Sequence, residues 1–379
     1  MSLGSAPHSE NSNWDPNIPC ADKYTDGMKS EGTFLMLSEL KRTGVVDDVM
    51  VFYESNRGPG FANWGRGIVG YVCPSIKWVY QFVKPDTIIY VRGGFRGWHE
   101  FLTFHKNKNW LMCYNANTGR ERWTFWDIIL WDLNSRTEID RHGRLWYYYK
   151  KPIDESIFYP MEQTNFYDVC IGASHIHDKK GQWRAIDALI AYKEKYGKNL
   201  KAILPGYGNR GTQTSQIMTK IYDHGLNVTI TGMLSREHLN ATVFNRSKIG
   251  MFLGTHGQGD RGPLEALSSG LPLIIGSRRY HSPTVCDEKI SLIPNDVNDI
   301  NEIVELTHRL LSKTPTRKFV SSFFRENQGF KEACYPNIRF VFDFMRDNPK
   351  PTLEAKKEFL RIWNQNDKNI KSIGTSSSN

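Results

Sequence analysis

Residues 254–276 read GTHGQGDRGPLEALSSGLPLIIG. The stretch opens on a glycine-rich loop, runs into a helix beginning near Pro263, and closes on an apolar strand, LPLIIG. Proline suits a first helical turn, because the N–H it lacks would be unpaired there anyway. The exposed amides and positive end of such a helix suit a diphosphate. Glu265 sits one turn in, placed to accept hydrogen bonds from vicinal sugar hydroxyls. Taken alone, it reads equally well as an acid that merely favours a first helical turn.

The same alternation extends upstream. A strand at 168–172 (DVCIG) leads to a helix at 182–196, and a strand at 200–204 ends in PGYGN. A helix at 215–224, the strand NVTITG, a helix after Ser235 and the strand KIGMFLG complete the approach to the glycine-rich loop. Such a series predicts a parallel sheet with ligands gathering at the carboxyl ends of its strands. Farther upstream, a helix at 32–42 places Phe34, Leu37 and Leu40 at helical spacing before Gly44, and DVMVFYES follows as a strand. Residues 56–70 (NRGPGFANWGRGIVG) read as a glycine-rich loop, without the GK[ST] ending of a P-loop. Strands are expected at 87–92, 110–114, 128–132 and 145–149, followed by a polar, proline-containing linker, KKPIDESIFYPMEQTNFYD. From Asp299 onward the pattern is helical, and the tail SIGTSSSN reads as disordered.

A chain of 379 residues has room for two or three domains, and 39% hydrophobic with 23% charged residues excludes a disordered or fibrous protein. Lys and Arg outnumber Asp and Glu by 49 to 40, a net charge of +9 that favours an anionic partner. Six scattered cysteines form no CxxC pair, which points to a reducing, cytoplasmic compartment. No apolar run reaches the roughly 18 residues that a membrane-spanning helix requires, so any membrane association is expected to be peripheral. The chain contains no DxD triplet of the kind that holds a divalent ion on a diphosphate.

The run PLEALSSGLPLI closely resembles the donor-binding signature of retaining GT-B glycosyltransferases of family 4, the group 1 glycosyl transferases. IGASHIHDKKGQWRAIDAL, KAILPGYGN and VTITGMLSREHLNATVFNRSKIGMFLG are similar, in the same order, to the preceding elements of that family. The linker carries Pro152, Asp154, Phe158 and Pro160 of the family's interdomain junction, so the likeness covers residues 148–300. It implies an α/β protein with two Rossmann-like domains facing a cleft: an acceptor-side domain at 1–160 and a nucleotide-sugar-binding domain at 161–335. Helices at 336–379 are expected to cross back toward the first.

The resemblance implies a UDP- or GDP-sugar as donor substrate, a glycan or lipid acceptor, and neither cofactor nor metal. Lys180 aligns with the lysine that neutralises the donor diphosphate. The family arginine five positions earlier is replaced by His175, beside Ser174, and Arg261 or Arg236 could substitute for it. Glu265 matches the second glutamate of the paired-acid motif, assigned to the ribose. Where the first belongs stands Gly257, flanked by Gln258 and Asp260, of which Asp260 is expected to reach the donor sugar. Gly206, Gly259 and Gly262 would let backbone approach the ligand, as would Gly208, while Leu234, Pro263 and Leu264 join the donor-binding set. On the acceptor side the family often carries a histidine where this chain has Asn115, which can hydrogen-bond a sugar but cannot act as a base. Lys180, Asp260 and Asn115 are thus the expected catalytic group, with His8, Arg92, Arg96 and His99 as candidates for acceptor contacts. No apolar run precedes SAPHSENSNW, so the family's first strand is expected to be missing by truncation or very short. Three rival readings remain: a transferase of the same architecture acting on nucleic acid, a nucleotide-sugar-binding protein without transferase activity, and, more distantly, an epimerase sharing the fold.

Overall fold

The computed structural model describes residues 32–55, 59–92, 98–114, 123–132, 137–172, 175–176, 180–208, 211–255, 261–278 and 281–375, with the backbone alone at 175–176, 207–208, 211–214 and 366–375. The chain divides into two compact units. The first takes residues 1–131, 135–149 and 336–379, and the second takes 132–134 and 150–335.

In the first unit, α1 (Gly32–Arg42) buries Phe34, Leu37 and Leu40 on one face and ends at Gly44, which adopts φ +69°. Strands β1 (Met50–Glu54), β2 (Gly60–Gly65) and β3 (Ile68–Cys73) form a sheet in the order β1-β3-β2. The expected loop at 56–70 is therefore largely a hairpin. Arg66 and Gly67, at φ +54° and +73°, supply the left-handed pair that a tight hairpin turn needs, and the strands that follow from it bury Ala62, Trp64, Ile68 and Val72. Glycine and asparagine at alternate positions hid that pattern in the sequence.

A second sheet contains β4 (Ile89–Val91), β5 (Leu111–Tyr114), β6 (Ile128–Trp131), β7 (Glu138–Ile139) and β8 (Leu145–Tyr148), with α2 (Trp98–His105) between β4 and β5. Its order is β4-β5-β6-β8-β7, parallel throughout except for the edge strand β7. The core beneath it is aromatic. Trp98, Phe101, Phe125, Trp126 and Trp146 are buried together, with Trp126 packed 5.0 Å from Phe125 and 5.5 Å from Trp98 between ring centroids. Much of the chain's aromatic excess is thus spent on filling this core. Residues 1–10, where the first strand was in question, lie outside the described residues.

The second unit contains β9 (Tyr167–Ile171), β10 (His175–Ile176), α3 (Gln182–Tyr196), β11 (Ala202–Leu204), β12 (Tyr207–Gly208), α4 (Gly211–Asp223), β13 (Val228–Ile230), β14 (Ser247–Phe252), α5 (Arg261–Ser268), β15 (Leu273–Ile275), β16 (Ser291–Leu292), α6 (Ile300–Ser312) and α7 (Arg317–Gln328). Six of these strands form a wholly parallel sheet in the order β13-β11-β9-β14-β15-β16. One face is covered by an aliphatic cluster joining Ile186 and Leu189 of α3 to Ile303 and Val304 of α6. The other face holds Phe158, Phe244, Leu264 and Phe324, so the linker segment around Phe158 is built into this unit. Ser268 Oγ fastens it, donating to the Phe158 carbonyl at 2.7 Å.

The last two helices, α8 (Tyr335–Asp347) and α9 (Leu353–Thr375), pack almost wholly with the first unit. Tyr147 Oη donates to the Asn337 carbonyl at 2.8 Å, and Lys356 Nζ meets Asp127 Oδ1 at 2.7 Å with both side chains nearly buried. Helix α9 runs into the tail SIGTSSSN, ending at Thr375, where the composition led us to expect disorder.

Candidate functional site

The strand order of the second unit reverses between β9 and β14. From β9 the chain moves outward through β11 and β13, then crosses to β14 and moves the other way through β15 and β16. At such a reversal the connections leaving the two central strands diverge, and a crevice opens beyond their carboxyl ends. The connections at this point lead to α3 and α5, the helices that carry Lys180 and Glu265 at their amino ends.

Glycines bring these pieces together. Gly181 caps α3 at φ +79°, and a Cβ there would overlap the Leu253 carbonyl and lie 2.8 Å from Gly254 N. The first turn of α3, with half-buried Lys180 immediately before it, therefore rests on the exit of β14. Phe252, the last residue of β14, has its ring between Gly172 and Gly262. A Cβ at Gly172 would overlap that ring, and one at Gly262 would come 2.9 Å from Phe252 Cε1. The exit of β9, the start of α3 and the first turn of α5 thus converge on two or three residues at one strand end. The sequence reading picked out Gly262 but missed Gly172, Gly181 and Phe252, because single glycines after strands look like ordinary turn residues.

The neighbouring loops form a rim. His175 and Ile176 pair in parallel with Tyr207 and Gly208, and Gly206 N donates to the Gly232 carbonyl at 2.8 Å. Two residues beyond Gly232, Leu234 is partly buried against the cluster that contains Phe252 and Leu264. Leu264 itself is 2% exposed, so its side chain is core packing. Ser235 then caps a single helical turn, Arg236–His238, by accepting from His238 N. Arg236 Nη1 lies 3.6 Å from Glu265 Oε1, and the Glu265 side chain is 9% exposed. Of the two cations that could replace the family arginine, Arg236 therefore stands beside Glu265, while Arg261 opens α5.

Asn115, Ser174, Gln258, Gly259 and Asp260 lie outside the described residues, as do His8 and Arg96, and only the backbone of His175 is described. In the first unit, Arg92 Nη1 donates to Thr33 Oγ1 at 2.8 Å, and His99 stands edge-on to Trp123 and Phe125. Among the described residues, no three His, Cys, Asp or Glu side chains gather in a way that would hold a metal ion. The five described cysteines are buried. Burial pushes the Cys73 thiol up to about 12 and that of Cys286 up to about 11, so neither is a nucleophilic thiolate near neutral pH. No described helix is long and apolar enough to cross a membrane.

No protein-family model matches the chain, and a search of curated proteins finds no similar sequence. Solved structures do match. The trehalose-6-phosphate synthase of Burkholderia multivorans aligns with a TM-score of 0.60 at 10% identity, over 87% of this chain and 98% of that one. HepE of Anabaena, solved in complex with UDP, aligns with a TM-score of 0.59 at 13% identity, over 84% and 97%. A sucrose-phosphate synthase from Thermosynechococcus elongatus gives 0.57 at 12% identity, over 88% and 92%. At these identities the likeness speaks of architecture. With two units built on parallel sheets, and glycosyltransferase structures matched over nearly their whole length, the chain has the GT-B fold.

Proposed function

We propose that the chain is a glycosyltransferase that moves a sugar from a nucleoside diphosphate donor, UDP or GDP, to a hydroxyl of a glycan or lipid acceptor. The reaction proceeds with retention of configuration and without a metal ion. The observation that carries this reading is the convergence of Gly181, next to Lys180 in sequence, and Gly262, in the first turn of α5, on residues 252–254 at the exit of β14, where the sheet reverses. As the bond from the anomeric carbon to the diphosphate oxygen breaks, negative charge gathers on the leaving group. A lysine and a set of helix amides fixed in advance stabilise that charge without reorganising. Glu265 is assigned to the ribose hydroxyls, Arg261, Ser174 and His175 to the phosphates, and Asp260 to the donor sugar. Asn115 contributes a hydrogen bond on the acceptor side. A cytoplasmic location agrees with six scattered cysteines that form no CxxC pair.

The test begins with thermal shift against UDP, GDP, ADP and their sugars. A ligand at a hundred times its Kd adds about 2.7 kcal/mol to apparent stability. Turnover of the stabilising donor with EDTA present follows, and Lys180→Ala is expected to lower kcat/KM about 10²–10³-fold. Undiminished turnover in that variant would remove the role given to Lys180. No stabilisation by any nucleoside diphosphate would end the reading itself, and tight binding without turnover over a broad acceptor panel would leave a binding protein.

A further inference from the structure

Among the described residues, the carboxylate of Glu265 accepts no hydrogen bond, although its side chain is only 9% exposed. A carboxylate so enclosed ordinarily takes several. Its charge is met instead by Arg236, whose Nη1 stands 3.6 Å away, beyond hydrogen-bond length but well within Coulombic reach. The arginine is itself held in place. Its side chain is 21% exposed, it opens a turn capped by Ser235, and the loop that delivers it is tied to the neighbouring strand exit by the Gly206–Gly232 bond. The arrangement is a fixed cation beside an acid whose acceptor oxygens are unspent, at the mouth of a crevice. A ligand offering two adjacent O–H donors, a vicinal diol, would complete it.

We propose that Arg236 is a positioning and specificity residue for the ribose of the bound nucleoside diphosphate: by balancing and orienting Glu265, it makes the site read the 2′- and 3′-hydroxyls together. It does not stand in for the missing cation on the diphosphate. This rests on the donor-site reading given above.

The two roles separate in a binding experiment. Isothermal titration of the full chain with UDP, GDP and ADP, and with their 2′-deoxy counterparts, is compared between the unmodified protein, Arg236→Met and Arg236→Lys. The unmodified chain is expected to bind its preferred ribonucleotide at least about tenfold more tightly than the deoxy form. Arg236→Met should weaken the ribonucleotide by about that factor, leave the deoxy form nearly unchanged, and so collapse the ratio; Arg236→Lys should restore part of it. Equal weakening of both forms would place Arg236 on the diphosphate or in the fold, and an unchanged ratio would give it no part in recognition; either overturns the proposal. Arg236→Gln, which also removes the charge, supplies the same readout if the methionine variant loses thermal stability. An unmodified chain that binds UDP while the variants keep its ratio defeats only the role of Arg236, whereas a chain silent to every nucleoside diphosphate defeats the donor-site reading with it.

Discussion

The two units solve the same packing problem with different side chains. The sheet of the second unit is lined by Val169, Ile171, Leu204, Ile249, Met251 and Ile274, short aliphatic residues that fill an even layer between parallel strands and helices. The first unit splits its strands between two sheets and packs the larger one over tryptophan and phenylalanine, whose bulk fills uneven space beneath strands of two to four residues. The proposed site lies in the more regular unit. The even sheet gives a clean reversal between β9 and β14, with Gly172, Gly181 and Gly262 packed at the strand exits beside it.

Truncation tests this contrast most severely. Trp126→Ala removes a ring that is 1% exposed, and should cost about 3–5 kcal/mol, against about 1 kcal/mol for Ile274→Val in the aliphatic layer. Native-state hydrogen exchange at the β5–β6 and β14–β15 amides reads the two losses separately. Equal losses would mean that the aromatic core is loosely packed. The next effect belongs to the strand exit. Gly181→Ala places a methyl group on the Leu253 carbonyl at a positive φ, and should cost about 3 kcal/mol together with donor binding. Gly197→Ala, at φ +64° with nothing within 4 Å, should cost only about 1 kcal/mol and spare binding. Urea titration with and without nucleotide compares them.

A further effect, smaller than those of Trp126→Ala and Gly181→Ala, depends on pH and lies in the first unit. Burial opposes the charged form of Asp140, yet hydrogen bonds from Arg144, Trp146 and two backbone amides outweigh it and hold the carboxyl far below its ordinary value. A carboxyl depressed on folding contributes all its stabilisation above the ordinary aspartate value of about 4, and loses it as pH falls toward the folded value. Asp140→Asn should therefore cost about 2 kcal/mol at pH 7, with the gap narrowing below pH 4. A gap independent of pH would assign the loss to packing.

Much of the second unit was legible because β-branched runs alternating with amphipathic helices leave few other solutions. The strands containing Cys170, Ile203 and Met251 lie where the pattern put them. The hairpin of β2 and β3 was not legible, since its turn at Arg66–Gly67 and its glycine and asparagine positions mimic a loop. The helix after Ser235 was legible, but not its make-up: a single turn at Arg236–His238 running into wider and tighter ones at Leu239–Val243 and Phe244–Arg246. At the site, Lys180 and Glu265 could be singled out through the family resemblance, but Gly172 and Phe252 could not. Their importance is a matter of what touches them.

Most of the local order of the second unit was written in the chain itself: where its strands and helices fall, that they alternate, and where a helix amino end with an acid one turn in would fall. Those features depend on hydrophobic period and turn chemistry over a dozen residues. Which strand exits lie side by side, how closely α3 can approach Leu253, and that Arg236 comes to rest beside Glu265 were decided only by the tertiary structure. Contacts between residues tens of positions apart follow from the strand order and from excluded volume, and neither leaves a mark on any short stretch of sequence.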